Sequence, residues 1–318
     1  MLIGGKSGLT ESQVRNRIEL GFQDLEIAVF WENLADTRKS AATLRSMPIN
    51  YYSFHTPHST DRYNKTGLGI YSDEKRKHML ECFKRCMELA QLVQQDTQLV
   101  VHVGEELSFD NNEIAHPRNL TYSELFLEEV SKLREYAPRN HPGLVITLEH
   151  VPPVQILPSG FLYREWGSDW RYMKLVQDAG FNDIVKATID FPHMSYYVEF
   201  MRRRGHSYDF QNYFDAFGED LSLVHFANPR GARKEYVSTL RHHSRGFDSK
   251  DVEDRAELAR IAALLRRNSY DGPITVEIQL KDYEDGYEIM LNAKLLEEAL
   301  RATVESDTSK PAPISGAE

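Results

Sequence analysis

Short runs of apolar, β-branched and aromatic residues alternate along this chain with longer amphipathic stretches. DLEIAVF (24–30), NYYSFHTP (50–57), QLVVHVG (98–104), LVITLEHVP (144–152), VKATIDFPHMS (185–195), LSLVHFANP (221–229) and PITVEIQL (273–280) predict strands. A weaker element is expected at TLRHH (239–243). Between them, apolar positions recur at helical spacing over 33–47, 72–93, 121–137, 168–180 and 249–268, and in a terminal helix ending near 302. Thr121, three residues before Glu124, and Ser249, just ahead of acidic residues, are expected helix starts; Gly180 is an expected stop. Strand and helix thus alternate about eight times, the signature of parallel strands joined by crossover helices. An open doubly wound sheet competes, but no glycine-rich phosphate loop follows the first run. The expected fold is α/β, a single-domain (β/α)8 TIM barrel over 1–303, with the polar, proline-containing stretch 304–318 as a disordered tail.

Composition narrows the function classes. The 318 residues carry 38 basic and 48 acidic side chains, a net charge of −10, which argues against a nucleic-acid partner because phosphate neutralisation needs a basic footprint. The two cysteines, Cys82 and Cys86, sit one helical turn apart and are expected to be reduced thiols packed against the barrel. No signal peptide and no apolar run of about 18 residues is visible, so a cytoplasmic protein without a membrane partner is expected.

Nearly every expected strand ends in a group that could bind a metal or move a proton. His55, His102, Glu149, the pair Asp190 and His193, His225 and Glu277 all occupy such ends. Barrel strands run parallel, so these ends meet at one mouth, where TIM-barrel active sites lie. A lone histidine in such a run is ordinarily a hydrogen-bonded core residue. Three carboxylates inside apolar strands are harder to explain, since they would repel one another unless a cation neutralised them.

The segments SFHTP, VVHVG, ITLEH, TIDFPH, LVHFANP and PITVEIQ, in this order over about 21–300, resemble the xylose isomerase-like TIM-barrel superfamily of sugar isomerases, ketose 3-epimerases and the endonuclease IV group. The resemblance implies one divalent ion, Mn²⁺, Mg²⁺ or Co²⁺, held by Glu149, Asp190, His225 and Glu277, as in the epimerases. It implies proton transfer by Glu149 and Glu277 through a metal-stabilised enediolate. Substrate oxygens would be held by His193, with His102, His55 or Arg230 assisting. The epimerase pattern places an arginine six residues after the metal-binding histidine; here Arg230 is one position early and Arg233 two late. The endonuclease branch would recruit His55, His102, His193 and His243 around zinc, but its Asp-x-His pair is replaced by TLRHHSRG. An inert metal-binding barrel is the third reading. A sugar or polyol is the expected partner, with self-association into a homo-oligomer possible.

Phe30 and Trp31 could wall a substrate or pack in the core. The aromatic segment 157–172 could be a lid with Arg164 or Arg171 reaching an anionic group, or an oligomer contact. The run MRRRG (201–205) reads as a solvated face.

Overall fold

In the computed structural model, ten strands are β1 (Ile3–Ser7), β2 (Asp24–Ala28), β3 (Asn50–His55), β4 (Thr97–His102), β5 (Leu144–Glu149), β6 (Val154–Leu157), β7 (Gly160–Tyr163), β8 (Val185–Asp190), β9 (Leu221–Phe226) and β10 (Ile274–Val276). The structure describes residues 1–62, 67–68, 72–103, 122–157, 160–163, 167–230, 246–278 and 285–308. Eight strands, all paired in parallel, close into a barrel in the order β1-β10-β9-β8-β5-β4-β3-β2, while β6 and β7 form a separate antiparallel hairpin. The expected TIM barrel is therefore present.

One barrel strand differs from the sequence expectation. The barrel closes through β1, a glycine-rich IGGKS run lacking the apolar alternation that marks the others. β9 is hydrogen-bonded directly to β10, so the order leaves no place between them for the element expected at 239–243, which itself lies outside the described residues. Several helix bounds also moved. The stretch expected as one helix from 33 is a 3₁₀ turn, Trp31–Asp36, followed by Thr37–Arg45, because Asp36 accepts from the Lys39 amide and starts the helix anew. Asp251, not Ser249, caps helix Val252–Arg267, accepting from the amides of Glu253 and Asp254. The last helix, Tyr287–Thr308, runs past the boundary expected at 303.

Each strand presents two faces because successive side chains alternate. On β4, Leu99 and Val101 join the large core between barrel and helices, which also takes in Phe54, Phe83, Ile146, Ile189, Val224 and Val276. Val100 faces the other way, into a small cluster with Tyr52 and Leu223 inside the barrel. Polar pairs lie beside it. Ser222 donates to Gln98 across 3.1 Å, the Thr147 and Thr188 hydroxyls lie 2.7 Å apart, and Tyr52 and Thr275 hydroxyls also 2.7 Å. Two residues beyond these inward threonines come Glu149, Asp190 and Glu277, so strand period alone turns three acids into the barrel at its C-terminal end.

The register then sets heights. His102 lies level with Glu149, and Asp190 with His225, on neighbouring strands. Lys6 lies level with Glu26, and the pairing of Gly5 with Val276 puts Lys6 beside Glu277. The two cysteines are buried and free, as expected. Among the described residues no helix is long and apolar enough to cross a membrane.

Candidate metal centre

The Nδ1 atom of His225 is the point on which four expected ligands meet. It lies 2.9 Å from Glu277 Oε2, 3.2 Å from Glu149 Oε2 and 4.0 Å from Asp190 Oδ2, all four side chains being almost wholly buried. It makes no hydrogen bond of proper geometry there. Three carboxylates around one imidazole nitrogen, in a site from which water is nearly excluded, form a donor set that could hold a divalent cation.

In two of the acids, one oxygen is held away from this point and the other is turned toward it. Asp190 caps helix Phe191–Arg203, its Oδ1 accepting from the His193 amide at 2.6 Å, while Oδ2 faces His225. Pro192, at the start of that helix, suits a position where no intrahelical donor is needed. Glu277 has Oε1 2.6 Å from the Lys6 ammonium and Oε2 toward His225. Glu149 is the hub. Its Oε1 lies 3.2 Å from His193 Nδ1 and 3.6 Å from His102 Nε2, and its Oε2 is 3.1 Å from His55 Nε2. Donor atoms consequently fall into linked triads: His55, Glu149 and His225; Glu149, Asp190 and His193; Glu26, His225 and Glu277. A further triad, His55, His58 and His102, lies beside Glu149.

Three members of this assembly escaped the sequence reading: His58, in the loop after β3, Glu26 and Lys6. Glu26 accepts from His225 Nε2 at 3.0 Å, and also from Ser53 at 2.8 Å and Thr275 at 3.2 Å. With Nε2 carrying the proton, the tautomer presents the Nδ1 lone pair to the cluster, the usual arrangement behind a metal-binding histidine. The signal was present in DLEIA, an acid inside an apolar strand, the same pattern that singled out Glu149. Lys6 pairs with Glu26 Oε1 at 3.2 Å as well as with Glu277.

The electrostatics follow from burial among unlike charges. Burial alone would lower the His225 imidazole, but Glu26, Glu149 and Glu277 outweigh it and hold its pKa well above the ordinary value. Burial would raise Glu149, yet His225 and His102 keep it well below the usual range. Glu26, buried but facing His225 and Lys6, falls to about 2. Asp190 goes the other way: burial, with Glu149 and Glu277 adding repulsion against the pull of His193, lifts it to about 7. His102 drops to about 4, chiefly through burial.

The structure does not bring Arg230 to this cluster. Its guanidinium pairs with Asp254, with Glu253 and, at 3.2 Å, with Asp251, at the acidic start of helix Val252–Arg267. Removing one partner of a buried pair strands the other, at a cost of about 3–5 kcal/mol. Arg230→Leu should therefore lower the urea-denaturation free energy by roughly that amount while leaving cation affinity within about twofold of the parent protein. A large loss of affinity with unchanged stability would be the opposite result.

Other expected residues divide. Phe30 is exposed, and Trp31 packs against His78 with ring centres 5.0 Å apart. Arg171 pairs with buried Asp169 beside it. Part of 157–172 forms the β6–β7 hairpin. Arg164, Arg233 and His243 lie outside the described residues.

Comparison with known proteins agrees with this architecture. A family model described as a xylose isomerase-like TIM barrel matches residues 16–302. An L-ribulose 3-epimerase structure superposes with a TM-score of 0.63 at 15% identity, over 99% of this chain and 100% of that one. A D-allulose 3-epimerase from Methylomonas sp. gives 0.58 at 14% identity, over 96% and 97%. A family 2 AP endonuclease from Brucella melitensis gives 0.56 at 14%, over 90% and 96%. At such identities the likeness is one of fold. A search of curated proteins found no match.

Proposed function

Because this chain belongs to the xylose isomerase-like TIM-barrel family, we propose that it is a divalent-metal-dependent sugar or sugar-phosphate isomerase or epimerase. The observation that carries the reading is the convergence of Glu149, Asp190 and Glu277 oxygens on Nδ1 of His225, whose other nitrogen is tied to Glu26. Those four residues would hold Mn²⁺, Mg²⁺ or Co²⁺, the metals that suit three carboxylates and one imidazole. A cation bound there would act as a Lewis acid toward a substrate carbonyl.

The protein's own groups supply the rest. Glu149 and Glu277 are the proton carriers, their Oε2 atoms both reaching the same buried point. His193, fixed by hydrogen bonding of Nδ1 to the His150 carbonyl at 2.7 Å, positions a substrate oxygen through Nε2. His102, whose side chain at 12% is more open than those of His55, His193 and His225, meets a substrate entering from the mouth. Its lowered pKa keeps it neutral near pH 7, able to donate or accept a hydrogen bond. His55 stays behind Glu149, with Nδ1 2.8 Å from the Thr56 carbonyl, and steadies that carboxylate. Burial around these groups strengthens each electrostatic contact. The epimerase structures among the fold neighbours support a sugar as substrate.

A second reading, a phosphodiesterase acting on nucleic acid, is favoured by one observation: the His55, His58 and His102 triad could hold another cation beside Glu149. The net charge of −10 weighs against it. The test is a panel of keto sugars, inosose-type polyols and sugar phosphates incubated with the Mn²⁺-supplied protein in D2O. One deuterium appearing at a single substrate carbon is the expected outcome. No exchange with any member, together with Zn²⁺-dependent cleavage of abasic DNA, would overturn the isomerase reading in favour of the second.

A further inference from the structure

Lys6 is wholly buried in the barrel, level with Glu26 on β2 and beside Glu277 after β10. A lysine is almost never fully buried without a purpose for its charge. Its backbone is anchored as well: the buried Arg17 donates Nε to the Lys6 carbonyl at 3.1 Å. Its ammonium stands 2.6 Å from Glu277 Oε1 and 3.2 Å from Glu26 Oε1. The other oxygens of the same two acids both address His225, Glu277 Oε2 at Nδ1 and Glu26 Oε2 at Nε2. One ammonium thus grips the carboxylates that flank the imidazole on both sides. Asp190 shows the same division of labour by other means, one oxygen held by a helix-start amide and one turned inward.

We propose that Lys6 is a positioning residue of the cation site, which clamps Oε1 of Glu277 so that this carboxylate offers a single oxygen to the metal. The inference rests on the metal centre proposed above and adds to it a residue that acts through Glu277 and Glu26. The clamp also ties Glu277 to Glu26 and so couples the ligand acid to the acid that fixes the His225 tautomer. A glutamate held by one oxygen keeps its carboxylate plane in place when substrate enters, so that the other oxygen stays directed at the cation site.

Co²⁺ is the probe, because the intensity of its visible d–d absorption reports how many ligand atoms surround it. The full chain is loaded with Co²⁺ alone, and its spectrum and affinity are compared with those of Lys6→Met. The expected result is a lower molar absorbance in the variant, as Glu277 takes up a second bonding oxygen, with affinity altered by about 10-fold or more. A lysine with a purely structural role would lower the melting temperature and leave the Co²⁺ spectrum as it was. That outcome overturns the clamp. Should Lys6→Met fail to fold, the comparison is made between Glu26→Gln and the Glu26→Gln, Lys6→Met double variant, in which one buried cation and one buried anion leave together. A spectral difference between those two supports the clamp and identity overturns it. If the parent protein binds no Co²⁺, the metal centre fails and the clamp with it; Co²⁺ bound identically by parent and variant overturns the clamp alone.

Discussion

Glu149→Ala should abolish turnover and weaken divalent-cation binding by at least about 100-fold, since changing a residue that merely orients a ligand already costs 10–100-fold. Glu149 does more than orient. Its two oxygens lie within 3.6 Å of ring nitrogens of His55, His102, His193 and His225, so its loss removes one oxygen from the site and releases four imidazoles at once. The metal-free variant should also be less stable than the metal-free parent by about 3–5 kcal/mol, because four buried imidazoles lose a shared partner. Glu149→Gln, which preserves shape and removes only the charge, should lose most of the cation affinity. Calorimetric titration with Mn²⁺ and urea denaturation read the two effects separately. A Glu149→Gln protein that binds Mn²⁺ like the parent would place the cation elsewhere.

The second large effect is the pH dependence of the metal-free protein. Asp190, lifted by burial to about 7, binds its proton more tightly in the folded state than in the unfolded chain. Its ionisation therefore opposes folding, and the Asp190 contribution falls as pH rises from about 4 through 7. His225 is raised well above its ordinary value by Glu26, Glu149 and Glu277. Its contribution is complete below about 6.5 and lost as pH climbs through the folded value. Glu149 and Glu26, both lowered, act at the acid end, where their contributions vanish as pH falls below the ordinary carboxylate range. Burial holds His102 at about 4 and His150 at about 3, so their contributions are lost as pH falls below about 6.5 and outweigh that of Asp190 there. Metal-free stability should thus peak near neutral pH and decline toward pH 9. One pKa unit corresponds to about 1.4 kcal/mol, so the decline amounts to a few kcal/mol. A bound cation takes the place of the protons on Asp190 and His225, and the melting temperatures with and without Mn²⁺ should diverge as pH rises from 5.5 to 8.5. Parallel curves would show that cation and protons do not compete for the same groups.

Much of this molecule could be read from its sequence, for a definite reason. A carboxylate inside an otherwise apolar strand stands out, and ITLEH, TIDFPH and TVEIQ reveal Glu149, Asp190 and Glu277 in this manner. The parallel topology then obliged those strand ends to meet. β1 was hidden because its inward positions are Gly4 and Lys6 and its glycines carry no hydrophobic signal, although an added Cβ at Gly4 would come within 2.8 Å of the Asp24 carbonyl. Lys6 is invisible with it, and Glu26 carries no clear meaning on a strand that reads as the first rather than the second. Arg230 is a different case. Spacing after His225 suggested a substrate contact, but the acidic cap of helix Val252–Arg267 is separated in sequence and close only in space. Which side of a barrel loop an arginine turns to depends on such distant charges, and short-range pattern carries no trace of them.

The most direct measurement is the number of divalent cations bound per chain, by equilibrium dialysis of the full-length protein against Mn²⁺ followed by elemental analysis, in parallel with His225→Ala. Close to one cation on the parent and none on the variant is the expected result. No cation on the parent, or one that persists without His225, would contradict a metal centre built from Glu149, Asp190, His225 and Glu277.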